Sequence, residues 1–506
     1  MNQRKAGAIL SYVYIIITNT ISLIYTPFML RIMGQSEYGL FGTANSFISY
    51  LSILNFGIGG AYIRFNARCR ANQDKEEEKR LNGMFLTIFT VLAFLVFWGG
   101  ICFIVLAGKL VANTFTSQEL LKLRIIMFIL TINIMVSFIS NVVMMALQAY
   151  EEFIFIRLIL LGAGIINPIV NVVALMLGGR AVAISAISCI ISILSYLIFF
   201  VYARRKICMQ FSFSGFKKSE MKELFIFSGF LFLNSITDQI TFSTDNIVLS
   251  AMKGTAAVAV YSVGSSFKAY FQNFSSSISS VFAPQINKVV ANNGSMKELD
   301  EIFVRVGRIQ FYVVSLILIG YLSVGHDFVR LWAGQNYGDA FYIGLLLMLA
   351  VFVPAFQNVG LEIQKAKNMH KARSIVYFLI SLVNVLLTIP FSVFWGGIGA
   401  ALATALCMFL GTVVFMNIYY AKKIQLNIIG FWKSIFNILP GYIIPVIVGV
   451  VINKVWEVDS YGDVLGAAII ISLCFVVSTW LFSMNKYEKN LIKKPFMKIL
   501  NRGKCK

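Results

Sequence analysis

Three charged residues stand in stretches that otherwise carry almost no charge. Lys268 sits in "SSFKAYFQNFSSSISS" (265–280), and Asp238 and Asp245 sit in the apolar run before it. A lysine at the centre of a membrane span costs roughly 2.5–3.5 kcal/mol on insertion scales. Such a residue needs a partner, a wet cavity or a task. Two chemistries fit. An Asp238–Lys268 ion pair would brace the hairpin that carries both. A hydrated cavity would let the lysine meet an anionic substrate, with the carboxylates available to a proton or a sodium ion. The two readings are compatible.

The spacing places these groups. Lys268 follows Lys253, at the hairpin tip, by 15 residues, and Asp238 precedes it by 15. At ~1.5 Å per residue both lie about 22 Å from the tip, so they are expected at similar depth, near the membrane midplane. Asp245 is seven residues from Asp238, on the same helix face and nearer the outer surface. Around Lys268 stand Ser265, Ser266, Tyr270, Gln272, Asn273 and Ser275–Ser277. Close helix packing through small residues is the alternative use of such serines. Arg31, Asn45 and Gln239 complete the set of candidate cavity residues, with Gln357 and Asn358 weaker. Arg31 and Arg64 lie near span ends, where arginine can also snorkel to the interface.

The elements that must position these groups are membrane helices. The 506 residues are 58% hydrophobic and 13% charged, against roughly 25% charged in soluble domains; the mean hydropathy is +0.79. The apolar pattern predicts an all-α polytopic protein of about fourteen spans: 8–33, 38–65, 81–107, 121–149, 153–177, 181–203, 222–251, 255–287, 299–325, 341–364, 372–394, 398–421, 433–453 and 463–484. The N-terminal apolar stretch is too long for a signal-peptide core and reads as the first span.

The net charge of +21 could suggest nucleic acid, but the basic residues fall between spans. With the N-terminus inside, 34 of the 43 Lys and Arg fall on cytoplasmic segments and eight on outer ones, leaving Lys268 within a span. That bias fits the positive-inside rule and puts both termini in the cytoplasm. The seven cysteines make no CxxC pair, and His326 and His370 read as loop residues. Neither disulfides, nor a metal, nor another cofactor is expected. There is no GxxxxGK[ST] loop and no soluble segment long enough for an ATPase domain.

The chain repeats itself. "GQSEYGLFGTANSFISYL" (34–51) matches "GTAAVAVYSVGSSFKAYF" (254–271) at offset 220, through Gly34/Gly254, Ser46/Ser266, Phe47/Phe267 and Tyr50/Tyr270. "GGRAVAISAISC" (178–189) matches "GGIGAALATALC" (396–407) at offset 218, and Gln148 and Arg157 match Gln364 and Arg373. Two six-helix lobes in parallel repeat follow, 1–205 and 206–425, then a helix pair over 426–484 and a basic cytoplasmic tail over 485–506. In parallel-repeat transporters the substrate path lies between the halves.

"TPFMLRIMGQSEYGLFGTANSFISYLSILNFGIGGAYIRF" (26–65), through Pro27, Arg31, Gly34, Glu37, Tyr38, Gly39 and Gly57, resembles the opening of the oligosaccharide flippases. These belong to the multidrug/oligosaccharidyl-lipid/polysaccharide exporter superfamily. "TDNIVLSAMKGTAAVAVYSVG" (244–264), "FVRLWAGQNYGDA" (328–340) and "LEIQKAKN" (361–368) resemble later segments of that family, in the right order. The resemblance implies two six-helix lobes around a central cavity. It implies flipping of an undecaprenyl-diphosphate-linked oligosaccharide, from the inner to the outer leaflet of a bacterial cytoplasmic membrane. Lys268 and Arg31 would then receive the diphosphate. Membrane lipid, and polysaccharide polymerase or assembly proteins, are the other partners it implies; nucleic acid is not among them. The first span lacks the basic–acidic pair of lipid II flippases, reading "IYTPF" there, and residues 8–33 lack the acidic residue of many multidrug extruders. A multidrug or cation antiporter of the same fold is the alternative. A membrane glycosyltransferase or polymerase fits least, because no outer loop is large.

Overall fold

In a computed structural model the described residues are 3–55, 58–214, 218–292, 294–367, 369, 371–491 and 493. Gly57, His370 and most of the basic tail lie outside them. Every one of the fourteen apolar stretches is helical where described. In chain order the helices are α1 (Gln3–Met33), α2 (Gln35–Ser49), α3 (Gly59–Ala71), α4 (Lys75–Leu110), α5 (Ser117–Ala149), α6 (Phe153–Met176), α7 (Ala181–Lys206), α8 (Lys218–Lys253) and α9 (Thr255–Ala291). Then come α10 (Met296–Ala333), α11 (Asp339–Phe356), α12 (Asn358–Ala366), α13 (Lys371–Met408), α14 (Met416–Tyr419), α15 (Ile428–Phe436), α16 (Ile443–Val455) and α17 (Tyr461–Phe482).

Among the described residues, eleven helical stretches are long and apolar enough to cross a membrane. One of them, Lys371–Ile424, covers two expected spans. It bends at Gly396, whose φ of 57° breaks the helical path. The two expected spans outside the eleven are α8 and α9, helices of 36 and 37 residues. Large apolar side chains such as Phe94, Trp98, Leu177 and Ile429 are exposed on the helices, as lipid-facing surfaces require.

Local chemistry sets the helix limits. Asp74 caps α4 by accepting from the Glu77 backbone at 2.8 Å. Thr116 and Glu119 form a reciprocal capping box on α5, satisfying two orphan donors at once. Gly34 and Gly254 turn the chain between α1 and α2 and between α8 and α9, with φ of 82° and 81°. Only glycine enters that region without steric cost. The sequence repeat pairs these two residues, and it pairs Gly178 with Gly396, which also have positive φ, 89° and 57°. Pro168 in α6 and Pro390 in α13 sit at a similar offset. The internal repeat is therefore a repeat of backbone turns as well as of letters.

The chain forms two compact units. One comprises 1–262 and 374–403, the other 263–373 and 404–506. In the first, α4 packs on α5, α5 on α7, and α1 on α6, around Tyr62, Phe85, Phe89 and Phe199. In the second, α10 packs on α11 and α16, and α16 on α17. Its centre is aromatic: Phe303 stacks on Phe431 at 4.4 Å, and Phe311 meets Phe356 edge-on at 5.0 Å. One sequence expectation fails here. His326 is no loop residue, because α10 runs on to Ala333 and holds it beside Asp327, with its ring against Phe341. The apolar count loses α10 after Gly325 because His326, Asp327 and Arg330 dilute a stretch that the helix still continues through.

Candidate functional site

Asp245 is the most enclosed carboxylate of the candidate set, 1% exposed in α8. The Tyr261 hydroxyl, from the start of α9, donates to its Oδ2. The Thr388 hydroxyl, from α13, lies 3.2 Å from Oδ1 and 3.4 Å from Asn384 Oδ1. Tyr261, Asn384 and Thr388 are all buried. All four residues belong to the first unit. Oxygen donors gathered around one carboxylate suit a proton or a hard cation.

A polar seam runs beside this cluster, where α2 packs on α8. Asn246 donates to Ser46 Oγ at 2.9 Å, and Ser49 and Ser243 hydroxyls meet at 3.1 Å. Ser243 donates to Gln239 Oε1 at 2.8 Å, and Tyr50 bonds Thr244. On α8 the positions 239, 243 and 246 share one face. Inside a membrane such side-chain bonds hold helices together because the hydrophobic effect does not. Gln239 joins the seam through Ser243, one turn on in its own helix.

Lys268 is buried, 7% exposed, on α9 in the second unit. It occupies the stripe of Gly264, Phe271 and Ser275, which packs on the second unit. A Cβ on Gly264 would lie 2.7 Å from Ile343. Ser275 accepts from Gln310 at 3.3 Å and from Asn358 at 3.1 Å, and donates to the Ala355 carbonyl. The opposite stripe of α9, Ala269, Asn273, Ser276 and Ser280, is exposed. Three of those four residues are polar, which a lipid-facing stripe would not be.

The eight sequence candidates divide. Arg31, Asn45, Asp238, Gln239 and Asp245 belong to the first unit; Lys268, Tyr270 and Asn273 belong to the second. Arg31 and Asp238 are exposed, and Tyr270 is half-buried. Asn45 spends its amide on the Phe41 carbonyl of its own helix, at 2.8 Å. Asn273 is exposed, and its carbonyl accepts from the Ser277 hydroxyl at 2.7 Å. Asp238 and Lys268 were expected at equal depth, and the helices do run unbroken from the tip past both. The structure brings Asp245 into a side-chain cluster with α9 and α13. Tyr261, Asn384 and Thr388 escaped the sequence reading; single polar residues in apolar helices, more than a hundred positions from Asp245 in two cases, carry no local signal. A further polar cluster links Gln357 to Asn417 at 3.0 Å, with the Trp432 indole donating to Asn417 at 2.9 Å. It turns the weaker candidate Gln357 into a brace.

A partly polar cavity of about 200 Å³ opens at the start of α4 between Lys75, Lys79, Asn82, Tyr150 and Cys208. Tyr150 donates to both oxygens of Glu78, at 2.9 and 3.1 Å. Burial, and then that bond, push the phenol up to about 12, so it remains a donor at neutral pH. Among the described residues no cluster of three or more His, Cys, Asp or Glu could hold a metal ion.

Residues 5–290 match the model of a family described as polysaccharide biosynthesis protein. The chain belongs to the polysaccharide biosynthesis protein family. A relative is similar over nearly its whole length: the uncharacterized membrane protein EpsK of Bacillus subtilis (strain 168) is 24% identical over 508 residues, covering 94% of this chain and 95% of EpsK. Among solved structures, the lipid II flippase MurJ in an inward closed conformation is similar with a TM-score of 0.73 at 18% identity, over 94% of this chain and 98% of that one. An inward-facing multidrug resistance MATE family transporter of the MOP superfamily is similar with a TM-score of 0.61 at 13% identity, over 80% and 96%. At these identities the likeness is one of fold. This member of the polysaccharide biosynthesis family is thus an all-α membrane protein built on the fold of that superfamily.

Proposed function

We propose that the chain flips a polyprenyl-diphosphate-linked oligosaccharide, an undecaprenyl-linked unit of O-antigen, capsule, exopolysaccharide or teichoic-acid type, from the inner to the outer leaflet of a bacterial cytoplasmic membrane. Both termini face the cytoplasm in this reading, and the chain is a transporter rather than an enzyme. The observation that carries it is α9 itself, which exposes a polar stripe and buries Lys268 on its opposite face, in a member of a family of polysaccharide biosynthesis. Sugar hydroxyls need a polar path through an apolar slab, and a diphosphate needs a cation within it. Lys268 supplies that cation, with Arg31 as a second. Polysaccharide polymerase or assembly proteins are the partners that would take the product. The names of the fold neighbours, a lipid II flippase and a MATE transporter, agree with transport as the common task.

Deleting the protein tests this. Lipid-linked precursor should accumulate in the inner leaflet, its glycan identified by mass. Undiminished polysaccharide at the cell surface with no accumulated precursor sinks the proposal. A second reading, a drug or cation antiporter, draws on buried Asp245 and its ring of oxygen donors. It requires that Asp245→Asn or Asp238→Asn abolish export of small cations while precursor levels stay normal.

A further inference from the structure

The last 22 residues hold eight Lys and Arg and a single acid, Glu488. The structure withdraws that acid from the surface. Glu488 is buried, with Oε1 2.5 Å from Arg308 Nε and Oε2 3.0 Å from Arg308 Nη2. Tyr312 and the Asn485 backbone also donate to Oε2, at 3.3 and 2.8 Å. Arg308 also donates to the Ser434 and Ser483 carbonyls, at 2.8 and 3.1 Å, and to the Tyr312 hydroxyl at 3.4 Å. The segment that follows α17 is thereby fastened to α10 and α15. Asn485 accepts from the Glu488 backbone at 2.9 Å, so the two residues cap a helical turn over 486–491 reciprocally.

What remains outward is basic and amphipathic. Lys486, Tyr487, Leu491 and Lys493 are exposed. The Lys489 and Lys493 ammonium groups lie 5.8 and 5.6 Å from the Trp480 ring, close to the end of α17. Arg305 lies over the Tyr487 ring at 5.1 Å. Tryptophan and tyrosine at a span end mark the headgroup level. The turn starts three residues after Phe482, so it has no length with which to leave the membrane surface.

We propose that residues 485–493 form a docking surface for anionic phospholipid headgroups of the leaflet in which α17 ends. Charge complementarity selects the occupant: clusters of Lys and Arg next to a span attract acidic lipid, and here the one opposing charge is locked inside. The Arg308–Glu488 clamp turns a basic tail into an oriented surface, and it carries the lipid's pull directly to α10. This interaction does not depend on which substrate the protein moves.

The test is hydrogen exchange over 485–493 in the full-length protein, in nanodiscs of phosphatidylcholine alone and with added phosphatidylglycerol. Exchange should be slower in the acidic discs, and the difference should shrink with salt, because exposed charges are screened. Each lysine-to-glutamine change among Lys486→Gln, Lys489→Gln and Lys493→Gln should cost about fivefold in that protection, and the triple variant should lose it. None of these touches Arg308 or Glu488, and unaltered exchange in α10 verifies the fold. Equal exchange in the two discs, or a lipid effect that survives in the triple variant, overturns the proposal. Protection that arises in neutral discs only on adding an acidic protein also overturns it.

Discussion

At offset 220, Thr18, Tyr25 and Ile48 of the α1–α2 hairpin stand where Asp238, Asp245 and Lys268 stand in the α8–α9 hairpin. The backbones agree at the tip, where Gly34 and Gly254 share a positive φ within one degree. The cargo differs. Ile48 is buried at 2% exposure, and Lys268 is buried at 7% in the same register. Burying isoleucine stabilises a membrane helix, and burying lysine costs roughly 2.5–3.5 kcal/mol. The helices diverge further on. The first copy leaves α-helical form at Tyr50–Asn55 and resumes at Gly59. The second stays helical to Ala291, with serines where the first has Gly57, Gly59 and Gly60. One hairpin thus breaks its second helix and holds an isoleucine where the other keeps a continuous helix and holds a lysine. The same contrast holds between α4, which has no charged residue from Leu81 to Gly108, and α10, which contains Arg305 and Arg308.

Substitutions that make the copies alike test what this asymmetry does. Lys268→Ile restores the first-half residue; it should insert and fold normally, yet lower glycan export by 100-fold or more, read as surface polysaccharide against protein level. Normal export would make the lysine a leftover of divergence. Glu488→Gln strips the partner from buried Arg308. Breaking a buried pair one-sidedly costs about 3–5 kcal/mol, so thermal unfolding in detergent should fall clearly, whereas Glu119→Gln in the first unit should fall less. Asp245→Ala removes the carboxylate that accepts from the Tyr261 and Thr388 hydroxyls. Each such loss costs about 1–3 kcal/mol, while Tyr25→Phe, at the matching place, should cost less in the same assay. Gly34→Ala and Gly254→Ala should each cost about 1–3 kcal/mol through backbone strain, and equally, if the turns are true counterparts. Smallest of all, Ser277→Ala should change stability by no more than about 0.5 kcal/mol, because its hydroxyl bonds only its own helix.

The fold was largely legible, because membrane helices announce themselves as apolar runs whose length is fixed by the bilayer. The repeat was legible through its glycines, because Gly34, Gly254, Gly178 and Gly396 occupy backbone conformations that other residues resist. Charges such as Lys268 and Asp245 stood out for the same reason that they are costly. Their partners did not. Thr388 is 143 residues from Asp245, and Glu488 is 180 residues from Arg308. No periodicity within a helix encodes which other helix lies opposite. Depth and face could be read by counting residues from the hairpin tip, but what packs against each level could not: Asp238 is exposed and Asp245 buried, although they share a face seven residues apart. Arg308 is one of the 34 basic residues counted on cytoplasmic segments, and in the structure it is buried against Glu488.

The serine run of α9 has a mechanical consequence. Ser276, Ser277 and Ser280 donate to carbonyls of their own helix, at 3.0, 2.7 and 3.0 Å. Their protons are already committed, so these serines present acceptor lone pairs and have no donor to leave stranded. A sugar hydroxyl can bond to such a surface and let go again, with the helix no worse satisfied afterwards. To a polar load, these serines would be a low-friction rail, offering acceptors and keeping back the donors that would make it stick.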